Sequence, residues 1–475
     1  MTSKRTKFVW KALCLVLVIA LVSSFAGCTQ TEEPTPTIPQ VAPVGSSLNG
    51  ISLNYFTIVY AEDTYGYNQR AAEYIQAEIY NRTAIDLPII KDTDAKVTPY
   101  EIVVGDTSRE ISSRVTPVSN SVQFTILAED TQIALEGNYF VIAAAAYFFI
   151  ETYVPASDYA AQIPKAATVH DPIVEEATNY ILMIGDGMGV NQTKLFQNYP
   201  NNLEFGHGED TFFGYYLPYT GFSRTNNVEN KTTDSAAGAT ALATGYKTFN
   251  SYIGQDMYHN AKQSLVELAG SMEMATCVMS TEEQTGATPS AFTAHCNYRK
   301  LYEEIEASQL LTQQTYGTII DCDYKYYDKG GIAVLCQRIS ANLNKLAENP
   351  NGFFMMYEEA HIDKHCAKAE LPEAFQTVVR FNRAIATVME YAFYHPNTFV
   401  LITADHETGG LTEKNGQFVN TTLDHTSANV PIFAYGMGAD IFNGQTVENI
   451  QIPMTFASFW GVEDFGDQTN FQPLS

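Results

Sequence analysis

The sequence predicts an α/β protein in which a central, mostly parallel sheet is flanked by helices and is preceded by a small α/β sandwich domain. Short apolar runs that alternate with helical stretches carry this prediction, because strands buried on both faces of a parallel sheet are continuously apolar. A chain of 475 residues with 45% hydrophobic side chains has enough apolar material for two cores. We therefore expect a signal peptide (1–28), a linker (29–48), the small domain (49–174) and a larger domain (175–475).

The larger domain begins near Asn179 and contains the strands expected to form the central sheet. Five apolar runs predict these strands: Tyr180–Ile184, Ala275–Met279, Phe353–Tyr357, Thr398–Thr403 and Val430–Tyr435. Several of the runs end in polar residues. Ligand sites of open α/β sheets lie at the carboxyl ends of the strands, so the functional residues are expected there.

The residues before the larger domain predict a small domain with a sheet of its own. The expected strands and helices are Leu53–Tyr60, Asn68–Asn81 (helix), Tyr100–Val104, Val122–Ala128 and Asn138–Thr152 (helix). This pattern resembles the small α/β domain that precedes catalytic domains in many extracellular carbohydrate-active enzymes. The sequence offers no acid pair or metal cluster here, so we expect a spacer or interaction role. A chain that starts near Glu175 is then expected to fold and keep its activity.

The N-terminus has the features of a bacterial export signal. Basic residues precede an uncharged apolar run, Ala12–Ala26, which leads into Ala26-Gly27-Cys28. Small residues before a cysteine resemble a lipoprotein cleavage box, in which Cys28 would carry the lipid, although Phe25 departs from the usual Leu. An uncleaved membrane anchor is the alternative. Either one predicts attachment to the extracellular face of the bacterial cell membrane.

Residues 29–48 are expected to be a spacer. Pro34, Pro36, Pro39 and Pro43 lie among threonines there, and no aromatic side chain follows the signal until Tyr55. Such a segment cannot bury enough apolar surface to form a core.

The charge and the cysteines limit the partners and the redox chemistry. The net charge is −26, so nucleic acid and anionic lipid are poor partners for the surface as a whole. Metal ions and an arginine could still attract a phosphoester locally. Five cysteines follow Cys28, and an odd number leaves at least one free thiol: Cys277, Cys296, Cys322, Cys336 and Cys366.

The most informative segment places Ser235 at the start of the alanine-rich stretch Ala236–Ala241. The first turn of a helix presents unpaired backbone N–H groups and the positive end of the helix dipole, so a phosphate bound there would face Ser235. An ordinary N-cap is the simpler interpretation of a Ser or Asp before such a stretch. The neighbouring motifs favour a nucleophile instead.

Two further motifs place metal-ligand side chains directly after apolar runs. Asp186 follows Ile181–Ile184 among glycines, and Asp405 and His406 follow Leu401–Thr403. Carboxylate oxygen and imidazole nitrogen are the mixture of ligands that zinc accepts. One Asp-Gly turn is usually no more than a turn. Two such motifs together with the serine helix predict a metal-assisted site.

In order and spacing, these motifs resemble the alkaline phosphatase family from Asn179 to the C-terminus. The residues that carry the resemblance are Asp186, Asp234-Ser235-Ala236, Ala287-Thr288-Pro289, Arg299, Glu358, Asp363, Asp405, His406 and His425. The resemblance implies an alkaline-phosphatase-like sheet and a phosphoric monoester hydrolase. It also implies two zinc ions and one magnesium ion as cofactors, and phosphate monoesters as substrates.

The resemblance implies a role for each of these residues. Ser235 would attack phosphorus and form a phosphoserine, and Arg299 would hold two phosphate oxygens. One zinc would be bound by Asp186, Asp405 and His406, the other by Asp363 and His425, and the magnesium by Asp186, Thr288 and Glu358.

Two positions depart from the family pattern. Ala367 stands where the family usually has a histidine of the second zinc site, so this zinc would be held weakly. His361, His365 or Cys366 could replace the missing ligand, although a buried, neutral side chain is the simpler interpretation of each. Gly286 stands where the family commonly has Asp or His near the magnesium.

The residues leave three functions open. A lipid-anchored phosphomonoesterase follows from the retained nucleophile and zinc ligands. A degenerate homologue that binds phosphate or a phosphorylated glycan without turnover follows from Ala367 and Gly286. A related metal-dependent phosphodiesterase is the third, although Arg299 favours a terminal phosphate. The short interval between His406 and His425 has no room for the large lobe of some members, which predicts an open site. The residues leave both a monomer and a homodimer open.

Overall fold

The structure is a computed structural model, and it describes residues 45–94, 97–156, 159–199, 210–323 and 331–470. The expected signal peptide (1–28), with the lipid site at Cys28, and residues 29–44 of the expected linker lie outside the described residues. At the end of that linker, Ser47–Leu48 form a short strand. Within the described ranges, every helix is too short or too polar to cross a membrane.

Strands and helices alternate along the described chain. The strands are β1 (Ser47–Leu48), β2 (Ile51–Ser52), β3 (Thr57–Tyr60), β4 (Ile89–Lys91), β5 (Glu101–Val104), β6 (Phe124–Ala128), β7 (Gln132–Glu136), β8 (Ala160–Ala161), β9 (Thr168–His170), β10 (Asn179–Gly185), β11 (Tyr219–Arg224), β12 (Ala275–Ser280), β13 (Ile319–Cys322), β14 (Phe353–Glu359), β15 (Thr398–Thr403), β16 (Glu407–Thr408), β17 (Thr412–Lys414), β18 (Gln417–Val419), β19 (His425–Thr426), β20 (Val430–Tyr435) and β21 (Thr446–Glu448). The helices are α1 (Tyr67–Thr83), α2 (Ile142–Tyr153), α3 (Ser235–Thr244), α4 (Leu265–Ser271), α5 (Ala287–Thr293), α6 (Tyr302–Tyr316), α7 (Gly331–Leu346), α8 (His361–Cys366), α9 (Leu371–Tyr394) and α10 (Gln451–Phe459).

The central sheet has eight strands in the order β13-β12-β14-β10-β15-β20-β11-β21. The first five are parallel, and β20 runs antiparallel to both of its neighbours. Every residue of β10, β14 and β15 is buried, as expected for strands covered on both faces. The α/β fold with a central, mostly parallel sheet is therefore confirmed.

A second sheet of six strands, in the order β4-β3-β5-β7-β6-β9, lies in the N-terminal region of the described chain. One face, with Ile58 and Ile102, packs in the same hydrophobic cluster as residues of α1 and α2. The opposite face is covered by the segment that contains Ile111 and Val115. The smaller sheet is thus covered by helices on one side and by a thin layer of loop on the other.

The two sheets share one hydrophobic core through α9. The ring of Phe140 lies 5.1 Å from Phe213 and 6.0 Å from Phe393, measured between centroids. Tyr74 of α1 packs against Tyr394 of α9 at 4.2 Å. The buried side of α9 thus contacts both regions of the molecule.

The predicted elements are largely present, with differences at their ends. β15 and β20 have the predicted bounds, whereas Leu53–Tyr55 form a 3-10 turn ahead of β3. A 3-10 turn over Tyr139–Val141 likewise precedes α2. The five cysteines within the described chain are free thiols.

Candidate metal-binding and serine site

The register of the central sheet brings the polar strand ends together. Ile184 of β10 pairs with Glu358 of β14 and with Thr403 of β15. Asp186 and Asp405 each lie two residues beyond these pairs, at the carboxyl ends of adjacent parallel strands. Carboxylates predicted from separate segments of the sequence therefore lie side by side.

Asp186, Asp405 and His406 form one group that could hold a metal ion. Their ligand atoms lie within 4.8 Å of one another, and all three residues are buried. Nε2 of His406 is 3.4 Å from Oδ1 of Asp186 and 3.3 Å from Oδ2 of Asp405. Among the described residues, neither of these carboxylate oxygens has a hydrogen-bond partner. Buried oxygens left unpaired beside an imidazole fit a cation, because an unpaired buried charge is otherwise costly.

Burial and neighbouring charges shift the pKa values of Asp186 and His406. Burial, followed by the negative charges of Asp405 and Asp363, raises the pKa of Asp186 well above its usual range. Burial lowers the pKa of His406, so its ring is neutral near pH 7. A bound cation would favour the ionised carboxylates, and a neutral imidazole is the form that coordinates a metal.

The hydroxyl of Thr408 determines which nitrogen of His406 is free. Thr408 Oγ1 lies 2.5 Å from Oδ1 of Asp363 and 3.2 Å from Nδ1 of His406. Its one proton goes to the carboxylate, so Thr408 accepts a hydrogen bond from Nδ1–H. The lone pair of Nε2 then faces Asp186 and Asp405, as a metal ligand requires.

Asp363 and His425 form a second group, with His406 as its third member. Nε2 of His425 is 3.3 Å from Oδ1 of Asp363, and Nδ1 is 3.0 Å from the carbonyl oxygen of Thr233. Burial opposes charge on both side chains, but their mutual attraction outweighs it. It raises the pKa of His425 to about 9 and lowers the pKa of Asp363 to about 2.

His406 cannot supply its Nε2 to both groups. Nε2 faces the first group, and Nδ1 is engaged by Thr408. The second group then retains Asp363 and His425, one ligand fewer than the three protein ligands of a typical catalytic zinc.

Among the described residues, the groups that could hold a metal ion do not include the three proposed substitutes for Ala367. Nδ1 of His365 is 2.9 Å from the carboxylate of Glu370. His361 lies 3.7 Å from the carboxylate of Glu359. Cys366 is fully buried in the hydrophobic core, and burial raises the pKa of its thiol to about 12. Ala367 itself follows α8, and its N–H donates to the carbonyl of Asp363.

Ser235 is the first residue of α3, as predicted. Asp234 is the N-cap, and its carboxylate accepts a hydrogen bond from the N–H of Ala237 at 3.0 Å. Ser235 Oγ lies 3.2 Å from Nε2 of His406, so the serine faces the first metal-binding group. A Cβ on Gly238 would meet the carbonyl oxygen of Asp405 at 2.9 Å, and glycine there allows α3 to approach this closely.

Arg299 is held beside Ser235 by the residue that caps the helix. Its Nη1 donates to Oδ2 of Asp234 at 3.1 Å, and Oδ1 of Asp234 accepts from the N–H of Ser251. About a third of the arginine side chain is exposed, so its remaining donors can reach a ligand. Asp234 therefore orients both the start of α3 and the guanidinium group.

Thr288, Glu358 and Asp186 line the same cavity, as the predicted magnesium site requires. Ser280 donates a short hydrogen bond to Oε2 of Glu358. Burial nevertheless raises the pKa of Glu358 to about 7. In the described structure, the buried hydroxyl of Thr288 makes no hydrogen bond of regular geometry. Oxygen donors of this kind suit a hard divalent cation such as Mg²⁺.

A buried ion pair stabilises the carboxyl ends of β10 and β14. Arg380 of α9 pairs with the carboxylate of Glu359, and the backbone carbonyl of Glu359 accepts from the N–H of Asp186 at 3.0 Å. Burial opposes charge on Glu359, but Arg380 outweighs it and lowers the pKa of Glu359 to about 2. The pair links α9 to the loop of Asp186.

A cavity of about 700 Å³ opens over Ser235 and the predicted magnesium site. Its outer wall contains both basic and acidic side chains, including Lys300, Lys364, Glu282 and Glu306. The cavity is large enough for a phosphorylated small molecule.

The supporting residues were missed by the sequence analysis. The sequence offered an N-cap as the simpler interpretation of a Ser or Asp before α3, and Asp234 is that cap, but its contact with Arg299 was not predicted. Ser280, Thr408, Glu359 and Arg380 act through contacts between distant segments, for which the sequence pattern carried no signal.

The central sheet and the grouped carboxylates and imidazoles around a serine define a class of protein, the α/β proteins with a candidate metal-binding site at the strand ends. The family model of the alkaline phosphatases matches residues 177–326 and 328–423, and the chain belongs to this family.

Individual relatives agree with this assignment. Alkaline phosphatase 4 of Bacillus subtilis (strain 168) is 29% identical over 289 residues, which are 50% of this chain and 63% of that protein. Alkaline phosphatase of Escherichia coli (strain K12) is 37% identical over 146 residues, 29% of this chain and 30% of that protein. The chain thus spans less than two thirds of the length of either relative.

Solved structures show the same fold. The structure of alkaline phosphatase from the Antarctic bacterium TAB5 has a TM-score of 0.53 and 25% identity to this chain, and the match covers 62% of this chain and 100% of that one. A mutant of the TAB5 enzyme, with a TM-score of 0.52, has Mg bound in its M3 site.

Proposed function

We propose that the chain hydrolyses phosphate monoesters through a phosphoserine at Ser235. The observation that carries this proposal is the position of Ser235 Oγ, at the start of α3 and 3.2 Å from Nε2 of His406. A phosphate at this helix start would face the serine and the first metal-binding group together. Membership of the alkaline phosphatase family supports the same reaction.

The residues present fit zinc and magnesium, the metals that the family uses. We assign one zinc to Asp186, Asp405 and His406, a second to Asp363 and His425, and magnesium to Asp186, Thr288 and Glu358. When bound, these ions would supply positive charge to the reacting oxygens. The unpaired oxygens of Asp186 and Asp405 support this assignment for the described residues of the chain.

Ser235 and Arg299 perform the steps that belong to the chain itself. Ser235 Oγ loses its proton and forms a bond to phosphorus as the ester P–O bond breaks, and the departing oxygen takes up a proton. Water then attacks the phosphoserine, which restores the serine and releases inorganic phosphate. Arg299, held by Asp234, donates to the non-bridging oxygens in both steps.

Hydrolysis of two synthetic esters tests the proposal, with zinc and magnesium content measured on the same samples. We expect an aryl phosphate monoester to be hydrolysed at least about 100-fold faster than the corresponding diester, because Arg299 recognises a terminal phosphate. The chelator-treated protein is the control, and readdition of metal is expected to restore activity. A preference for the diester would favour a phosphodiesterase instead.

Binding without turnover is the second candidate, and Ala367 is the observation that favours it. Among the described residues, the third member of the second zinc group is His406, which the first group also uses, and this weakens the site expected to assist the leaving oxygen. A fully metallated protein that binds inorganic phosphate but hydrolyses neither ester would support this alternative.

We further propose that a lipid on Cys28 anchors the chain to the extracellular face of the bacterial cell membrane. The apolar run that ends at Cys28 motivates this proposal. Cys28→Ala is expected to abolish lipid labelling, and unchanged labelling would contradict it. Sedimentation of the purified protein would distinguish a monomer from a homodimer.

A further inference from the structure

Glu282 occupies the space in front of Gly286, beside the group expected to bind magnesium. An ideal Cβ on Gly286 would lie 2.6 Å from Cγ of Glu282. The backbone of Gly286 has φ −55° and ψ 154°, which other residues adopt readily. The space for a side chain at position 286 is therefore occupied by Glu282 and narrowed by the carbonyl oxygen of Glu283, at 3.0 Å, although the backbone conformation would allow one.

A short hydrogen-bonded chain connects Glu282 to Glu358. The N–H of Glu282 donates to Oγ of Ser280 at 2.9 Å, and Ser280 donates to Oε2 of Glu358. The end of β12 thus directs Glu282 toward the same cavity that Glu358, Asp186 and Thr288 line.

Lys364 holds the carboxylate of Glu282 in this place. Its Nζ forms an ion pair with Oε2 of Glu282. Lys364 lies at the cavity wall with 39% of its side chain exposed. Through this ion pair, the ammonium group orients the carboxylate of Glu282 at the cavity wall.

The cavity contains a buried carboxylate oxygen that the described residues leave without a hydrogen-bond partner. This atom is Oδ1 of Asp186. Asp186, Glu358 and Glu282 carry three negative charges when ionised. A divalent cation together with Lys364 would balance them. Mg²⁺ prefers oxygen ligands and retains several waters, which an additional carboxylate can accept hydrogen bonds from.

We propose that Glu282 is an additional carboxylate of the magnesium site, in the place that Gly286 leaves free, and that Lys364 is its positioning residue. This inference rests on the proposed function, because it requires the group of Asp186, Thr288 and Glu358 to bind Mg²⁺. In this arrangement, Glu282 supplies the carboxylate that Gly286 cannot supply at position 286.

Calorimetric titration with Mg²⁺ tests the proposal on purified protein that has been stripped with a chelator and reloaded with zinc. Glu282→Ala is expected to weaken Mg²⁺ binding about 10-fold or more. Glu283→Ala is the matched control, because it removes the same charge from an exposed neighbour that lines the same cavity. It is expected to change Mg²⁺ affinity less than about 3-fold. Glu282→Gln keeps the shape of the side chain and is expected to behave like Glu282→Ala.

Moving the carboxylate from position 282 to position 286 gives a second, independent readout. The double variant Glu282→Ala with Gly286→Asp is expected to recover most of the lost Mg²⁺ affinity. Removal of the Glu282 side chain beyond Cβ relieves the 2.6 Å contact, and the remaining 3.0 Å contact with the carbonyl of Glu283 needs only a small adjustment.

The possible results separate this inference from the proposed function. Unchanged Mg²⁺ affinity in both Glu282→Ala and Glu282→Gln would overturn the role of Glu282. A parent protein that binds no Mg²⁺ would overturn both the inference and the magnesium site of the proposed function. A parent that binds Mg²⁺ through Glu282 but hydrolyses no monoester would overturn the proposed function and support the inference.

Discussion

At the residue scale, Asp234 links the proposed nucleophile, Ser235, to the arginine proposed to bind phosphate, Arg299. One carboxylate oxygen caps α3 next to Ser235, and the other accepts from Nη1 of Arg299. The serine and the guanidinium group are therefore oriented by one side chain. Hydrogen-bonded support of this kind keeps the donors in place before the substrate arrives.

Arg299→Ala is expected to lower kcat/KM for an aryl phosphate roughly 100-fold, because two charge-assisted hydrogen bonds to phosphate are lost. Arg299→Lys should recover only a fraction of this loss, since an ammonium group cannot donate bidentately. Steady-state kinetics and zinc content on the same preparations check this. Loss of zinc from Arg299→Ala would show that the residue is structural.

Glu136 gives a pH-dependent prediction away from the site. It lies at the end of β7 with 2% exposure, and burial, followed by Asp106, raises its pKa from 4.5 to about 8. A carboxyl group with a raised folded pKa costs stability as pH rises from 4.5 toward 8, because the unfolded chain ionises first. Glu136→Gln should therefore gain stability over wild type between pH 6 and pH 9.

Urea unfolding of both proteins at pH 6 and pH 9 measures this difference. From pH 6 to pH 9, the free energy of unfolding of the wild type should fall relative to that of Glu136→Gln. An equal difference at the two pH values would mean that Glu136 titrates normally.

At the element scale, parallel strands explain why much of the site could be predicted. Asp186 and Asp405 follow apolar runs, and the carboxyl ends of parallel strands meet at one edge of the sheet. Strands β10, β12, β14, β15 and β20 were predicted because continuous burial leaves a clear apolar signal. β11 and β13 were missed, since their burial is interrupted and their sequences are partly polar.

The contacts between elements could not be predicted in the same way. Thr408 touches Asp363 and His406, and Arg380 of α9 reaches Glu359 at the end of β14. Threonine and arginine are common on loops and helices, and their partners are set by tertiary packing. The sequence also suggested His361, His365 or Cys366 as zinc ligands. At the end of α8, His365 instead pairs with Glu370, and Cys366 lies in the core.

The geometry of α8 makes Ala367→His the informative change. Position 367 is one helical turn after Asp363, and its N–H donates to the carbonyl of Asp363. An imidazole there would lie on the same side as Asp363 and complete the group with His425. Zinc retained after dialysis at low free zinc should rise, with higher turnover.

Lys368→His is the matched control for this change, because it adds an imidazole one residue further along at an exposed position. It should leave zinc retention unchanged. Loss of zinc from His365→Ala or Cys366→Ala, with no gain in Ala367→His, would show that another side chain already completes the site.

At the scale of the whole molecule, the packing of α9 changes what is expected of the N-terminal region. The sequence suggested a spacer that could be removed. In the structure, Phe140 packs on Phe213 and Phe393, and Arg70 forms an ion pair with Glu390 of α9 at 2.7 Å. Removal of this region would expose an apolar surface of α9 that monomeric proteins normally bury.

A chain that starts near Glu175 is therefore expected to have low solubility and a lower melting temperature than the full chain, although every candidate metal ligand is retained. In the full chain, Phe140→Ala should cost about 3 kcal/mol or more of stability. Tyr80→Ala, at an exposed position of α1, is the control and should cost little. A soluble truncated chain with unchanged melting temperature and activity would restore the interpretation as a spacer.

The most direct test of phosphoryl transfer to Ser235 is a rapid quench after mixing with a labelled phosphate monoester. The position of Ser235 at the start of α3, beside His406 and Arg299, predicts one labelled peptide that carries phosphate on Ser235. Ser235→Ala should lose the label and lower kcat at least about 1,000-fold while its zinc content is unchanged. Equal labelling of Ser235→Ala, or label on a different residue, would contradict a serine mechanism at this site.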